Sequence, residues 1–257
     1  MVVLGWLRAV GSLWLGAILL TLLMLTLGLA TIHESQHPGL VTLRVFYNSW
    51  WFIALLTALG VNALVSVVIR FPWDRKQIGF VLTHVGILVI LVGALITRQL
   101  GREGELSIAE GQTRATFDEY VPLTEMKSDE TERPKTETSL GFGLTLRKFQ
   151  LGTYPGTQRP RSFESHITIT DSVTGEAQDH VISMNRPVTH GGWKFFQSDF
   201  DNQHQPVISV LSVTRDPGQG IVFFGYGTTL VGMLIVLVIR MRQKRPDILL
   251  PEIQNSQ

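Results

Sequence analysis

Cysteine is absent from all 257 residues. The protein therefore forms no disulfide, binds no metal through thiolate and performs no thiol redox chemistry, even where part of it faces an oxidising compartment. Charge of one sign is lacking too, since 22 Lys and Arg balance 21 Asp and Glu to a net +1, and nothing suggests a nucleic-acid partner. No phosphate-binding loop, serine nucleophile motif or paired carboxylates stand in usable context, and no internal repeat is apparent. Charged residues make up only 17% of the chain and hydrophobic ones 45%, and the latter are gathered into runs. That clustering predicts a membrane protein with one soluble part.

The organising run is Gly79 to Thr97, GFVLTHVGILVILVGALIT, in which His84 is the one ionisable residue. At about 1.5 Å per residue it can cross a hydrocarbon core of roughly 30 Å. His84 follows Lys76 by eight residues, which puts it roughly 12 Å into the membrane. Gly79, Thr83, Gly86, Ile90, Gly93 and Thr97 recur at steps of four and three, the spacing of a small-residue seam that lets two membrane helices approach closely. At about 100° per residue, His84 falls well away from that seam, in a stripe with Phe80, Leu88, Leu91 and Leu95. An imidazole there faces lipid, a bound cofactor or a second protein, and bare lipid is the costly choice. A neutral histidine hydrogen-bonded inside the bundle is the plainer alternative.

Three further runs complete a four-span reading. The first covers about residues 13–31, follows Arg8 and is read as a retained helix, since no small-residue cleavage pattern follows it. After it comes HESQHP, in which His33, Glu34 and His37 fit the H-E-x-x-H zinc pattern. Pro38 stops the helix at once and no third ligand stands at sensible spacing, so a polar interfacial loop is the preferred reading. The second run, 50–69, opens with the interfacial aromatics Tyr47, Trp50, Trp51 and Phe52 and ends at Arg70, Arg75 and Lys76. Asn62 in this run is expected at a depth similar to His84, either joining helices or orienting the imidazole. With the third helix at 78–97, residues 1–97 form an N-terminal membrane region.

Between residues 98 and 220 the chain turns polar and alternating, which predicts an all-β domain, a small sandwich or open barrel. Strands are expected at Glu105 to Ile108, Leu144 to Phe149, Ser165 to Thr170, Val181 to Met184, Lys194 to Gln197 and Val207 to Val213. Asp118 to Thr138, acidic and Thr-rich, is expected to be a loop. His166, His180, His190 and His204 lack ligand spacing and are expected at the surface. The fourth span, 221–239, is followed by Arg240, Arg242, Lys244 and Arg245 in a tail over 240–257. Basic residues here and at 70–76 predict both termini in the cytoplasm and the β-domain outside, in a multi-pass protein of the inner (plasma) membrane in contact with its lipids.

The stretches YNSWWFIALL at 47–56, FVLTHVGILVILVGALIT at 80–97, Gly101, LSIAEGQT at 106–113, NRPVTHGGWKFFQSDFD at 185–201 and SVTRDPGQG at 212–220 together resemble the ResB, or CcsB, family of System II cytochrome c biogenesis. The resemblance runs in the same order around the same four spans. It implies a complex with a ResC or CcsA type membrane protein that carries haem outward for attachment to apocytochrome c. It also implies that His84 is a haem axial ligand, with haem b shared with the partner. The partner's tryptophan-rich haem-handling signature is absent, so the chain is expected to be an essential, non-catalytic subunit of a synthase. Two alternatives of other classes stand beside this: an assembly factor that holds its partners through the β-domain without haem, and a membrane-anchored zinc peptidase.

Overall fold

The computed structural model describes residues 2–37, 39–123, 125–126, 132–157, 159–201, 203 and 206–243. The chain divides into two compact units, one of Met1–Ser35, Ser49–Ile96 and Gly218–Gln257, the other of Gln36–Asn48 and Thr97–Pro217. Helices make the first. They are α1 (Val2–Val10), α2 (Leu13–Gln36), α4 (Trp50–Val68), α5 (Ile78–Leu100) and α6 (Gln219–Gln243), whereas the single turn α3 (Gly39–Thr42) belongs to the second unit. Among the described residues four helices are long and apolar enough to cross a membrane, those beginning at Leu13, Trp50, Arg75 and Gln219.

The chain between α4 and α5 is tied to the end of α4. Arg70 Nη1 donates to the Ser66 carbonyl at 2.7 Å and Trp73 Nε1 to the Val67 carbonyl at 2.9 Å, so two of the carbonyls that a helix end leaves open are occupied. Asp74 and Gln77 then form a capping box that starts the turn Arg75–Gln77 and leads into α5.

The helices differ from the sequence reading by one addition and by longer spans, α5 reaching Leu100 and α6 covering Gln219–Gln243 where 97 and 221–239 were expected. Helix α1 was not anticipated; it is nine residues long, too short to show as a run. Helix α2 continues past residue 31 to Gln36, because Thr31 and Ser35 turn their hydroxyls back onto the Leu27 and Ile32 carbonyls and need no break in the helix. Pro38, expected to stop it, lies outside the described residues.

The second unit holds one antiparallel sheet of eight strands: β1 (Arg102–Ala109), β2 (Thr113–Tyr120), β3 (Lys135–Thr153), β4 (Pro160–Asp171), β5 (Ala177–Ser183), β6 (Val188–His190), β7 (Trp193–Asp201) and β8 (Ile208–Arg215). Their spatial order is β5-β4-β3-β2-β1-β8-β7-β6. Alternate residues such as Leu106 and Ile108, Leu144 and Leu146, Ile167 and Ile169, and Leu211 and Val213 are fully buried on one face, each worth about 1.5–3 kcal/mol. The two-residue loop Gly191-Gly192 joins His190 to its partner Trp193 with φ of 58° and 80°, angles that glycine adopts without strain.

The sheet curls on itself. Ser165 on β4 and Gln197 on β7 belong to strands far apart in the spatial order, yet the serine hydroxyl donates to Gln197 Oε1 at 2.6 Å and lies 2.8 Å from Ser209 Oγ on β8. All three side chains are buried, and their mutual hydrogen bonds satisfy them there. An open barrel results.

All six expected strands lie within observed ones apart from single end residues, and each is longer than expected. The Asp118–Thr138 loop is corrected: β2 runs to Tyr120 and β3 begins at Lys135. Phe117 is the one fully buried side chain on β2, so apolar alternation is nearly silent there. Ion pairs and hydrogen bonds carry the outward face instead, with Arg102 paired to Glu119, Thr138 donating to Glu119 at 2.7 Å and Thr116 to Glu137 at 2.6 Å. Beside them the Tyr120 hydroxyl donates to Glu105 Oε2 at 2.9 Å, which also receives Lys135 Nζ at 3.3 Å. Burial, then the bond to Glu105, pushes the Tyr120 phenol up to about 12. Burial alone would raise Glu105, but the bonds from Tyr120 and Lys135 outweigh it and hold the carboxyl below its usual range.

Candidate functional site

Helix α5 meets α6 through glycine on both sides. A Cβ on Gly79 would stand 2.9 Å from the Gly232 carbonyl, one on Gly86 2.9 Å from that of Gly225, and one on Gly93 3.2 Å from that of Gly218. The reverse holds: a Cβ on Gly225 would meet the Gly86 carbonyl at 2.9 Å, and one on Gly232 the Gly79 carbonyl at 2.8 Å. The helices are therefore antiparallel, with glycine every seventh residue on each facing glycine on the other. This is the seam expected on α5, and its partner is α6.

His84 opens beside this seam. Its Nδ1 lies 2.9 Å from the Phe80 carbonyl oxygen, one helical turn back. A carbonyl only accepts, so Nδ1 carries the hydrogen of that bond and a neutral ring keeps its lone pair on Nε2. The imidazole stacks on Phe80 with ring centroids 4.0 Å apart, and the Arg70 guanidinium covers the same phenyl ring at 4.7 Å. Two contacts thus fix the orientation of the imidazole.

Around it is a groove of about 470 Å³. Lys76, Phe80, Thr83 and His84 line one side, and α6 supplies Met233, Val236, Ile239 and Arg240 on the other. The lining is apolar but for Thr83, the imidazole and the two cations. Helical side chains lean toward the helix N-terminus, which brings the imidazole nearer Lys76 than the rise between their backbones suggests. The angular reading, which sets His84 in a stripe apart from the seam, is modified accordingly: Thr83 of the seam shares the groove with His84, and α6 forms its far wall.

Asn62 is not joined to His84 by any hydrogen bond among the described residues. Its amide nitrogen donates to the Val10 carbonyl at 2.6 Å and the Ser12 carbonyl at 3.2 Å, and Ser66 Oγ donates to the Gly11 carbonyl at 3.0 Å. These bonds hold the bend between α1 and α2 against α4, and Gly11 packs there on Ser66, Val65 and Ile69.

His33 and Glu34 occupy the last turn of α2, with His37 just beyond; Glu34 and His37 are exposed. Among the described residues no three His, Asp or Glu side chains gather as a metal cluster. The expectation of surface histidines in the β-domain is corrected. His166, His180 and His190 are half-buried, and His190 packs edge-on against Phe142 at 4.7 Å. His204 lies outside the described residues. Sequence reasoning did not anticipate that Lys76 and Arg240 line the same groove as His84; the shared seven-residue glycine spacing of α5 and α6 was the available signal.

Helix α5, its glycine seam and the β-strands that follow define a recognisable class. A model of the ResB-like family matches residues 74–210, from the turn before α5 into β8, and the chain belongs to that family. Protein NrfI of Wolinella succinogenes is 25% identical over 308 aligned residues, covering 84% of this chain and 34% of NrfI. Cytochrome c biogenesis protein CcsB of a Synechococcus species is 28% identical over 124 residues, covering 48% of this chain and 24% of CcsB. The matches therefore span only 34% and 24% of those relatives' length. Among solved structures, Cytochrome c Heme Lyase CcmF aligns over 85% of this chain and 34% of its own at 12% identity, with a TM-score of 0.38, too low to support an argument.

Proposed function

We propose that this chain is a membrane subunit of cytochrome c maturation that holds haem through His84. The observation that carries the reading is the fixed imidazole: Nδ1 is committed to the Phe80 carbonyl, and Nε2 is left beside a groove with mostly apolar walls. A metal-ligating histidine commonly has its other nitrogen fixed in this way. The name of CcsB, cytochrome c biogenesis protein, supports the same process for this chain. Haem bound there would supply iron with a further axial position, for which a second membrane protein of the ResC or CcsA type is the natural donor. His84 ligates, Phe80 orients it, Thr83 stands beside it, and Met233, Val236 and Ile239 exclude water.

In this reading the four apolar helices span the membrane, residues 70–77 and both termini are cytoplasmic, and the β-unit lies outside, where apocytochrome c is met. The basic residues flanking the helices support that orientation. The test is the visible spectrum of the chain purified with its membrane partner. Wild type should show the sharp Soret band of bis-imidazole haem. His84→Ala should assemble, lose haem and regain part of it with added imidazole. A His84→Ala complex with the wild-type spectrum would refute the ligand assignment, and a haem-free wild type would favour a scaffold that works through the β-unit.

A further inference from the structure

The groove beside His84 carries two cations and no carboxylate. Lys76 comes from the turn before α5 and Arg240 from the last turns of α6, 164 positions later in the sequence, and the antiparallel seam brings both to one end of the same groove. Neither forms an ion pair among the described residues. The remaining walls, Phe80, Met233, Val236 and Ile239, suit a flat apolar surface. A groove with an apolar body, one nitrogen donor and two cations at one end matches an amphipathic ring with carboxylates on one edge.

We infer that Lys76 and Arg240 bind the two carboxylates of the haem that His84 ligates, a step that rests on the ligation reading above. These residues position the ring: they set which edge faces the 70–77 turn, so the carboxylate edge is held at that end and the apolar edge lies along α5. Arginine offers a planar fork to one carboxylate and lysine a mobile point charge to the other. Lipid phosphate shares the same anionic chemistry, and the experiment separates the two sources.

The chain, purified with its membrane partner and reconstituted in neutral-lipid nanodiscs, is titrated with haem and with haem dimethyl ester, read by the Soret band. Wild type should bind haem more tightly than the ester. Lys76→Gln with Arg240→Gln should weaken haem binding by roughly two- to fivefold per cation, leave ester binding unchanged and keep the Soret position, because the axial ligands are untouched. Lys76→Arg with Arg240→Lys should retain the preference for free haem. Equal affinity of wild type for haem and ester overturns the clamp and leaves lipid phosphate as the partner of these cations; that comparison needs no variant. A double variant that still prefers free haem also overturns it. His84→Ala separates the failures: if it shifts the spectrum while discrimination stays with the double variant, the clamp alone fails, whereas an unchanged spectrum removes ligation and clamp together.

Discussion

Alanine at Gly86 should force α5 and α6 apart. Its new Cβ would lie 2.6 Å from the Thr229 amide nitrogen and 2.9 Å from the Gly225 carbonyl oxygen, where ordinary contact begins at 3.4 Å. The Thr229 hydroxyl stands closer still but can rotate away, whereas these two obstacles are backbone and cannot, so relief requires about 0.8 Å of separation, the difference between 3.4 and 2.6 Å. Overpacking of this kind typically costs about 1–3 kcal/mol. Gly227 on α6 has nothing within 4 Å of its would-be Cβ, which makes it the matched control. Both alanines gain the same intrinsic helix preference, about 1 kcal/mol, so the difference between the two variants isolates packing. We expect Gly86→Ala to be less stable than Gly227→Ala by about 1–3 kcal/mol, or roughly five- to 150-fold in the unfolding equilibrium. The measurement is unfolding in mild detergent on SDS titration, followed by tryptophan fluorescence. Equal midpoints for the two variants would refute the close seam.

A reporter active only outside the cytoplasm, fused after Ser172 in the exposed turn between β4 and β5, should be active. Silence there with activity at Asp74 would reverse the proposed orientation. The Tyr120–Glu105 pair should shape stability against pH. Glu105 has a lowered folded value, so its contribution is present above the ordinary 4.5 and lost as pH falls below it. Tyr120, raised to about 12, contributes fully below its ordinary 10.0 and loses that contribution as pH climbs toward 12. Melts of the full chain followed by circular dichroism should show both losses, and Tyr120→Phe should flatten the alkaline one; an unchanged alkaline limb would count against the raised phenol.

How much was legible depended on what each element shows the solvent. Four long helices and the seam on α5 follow from runs and spacing, because apolar length and small-residue periodicity are written along one segment. Six strands were visible where Leu, Ile, Val and Phe alternate. Strand β2 and the start of β3 were hidden, since Phe117 is their one fully buried anchor among polar residues held by cross-strand bonds. Asn62 was readable as a polar residue within an apolar run, but its partners were not: they are the carbonyls of Val10 and Ser12, groups that every residue carries and no sequence pattern marks. The same applies to His84, whose position was plain while Arg240, which shares its groove, lies on a helix that the whole β-unit separates from it in sequence.

Strands β1 and β8 are the first and last of the sheet in chain order, and they pair along their whole length, with Arg102 opposite Arg215. Just before and after them, Thr97 donates to Asp216 Oδ1 at 2.7 Å. The excursion therefore leaves and returns through one doorway. Chain inserted or removed between β1 and β8 faces a closure already made, and each doubling of such a loop costs only about 0.6 kcal/mol. Evolution could lengthen or trim the β-unit while the doorway stayed shut, and an engineer could replace the whole of it with a short turn.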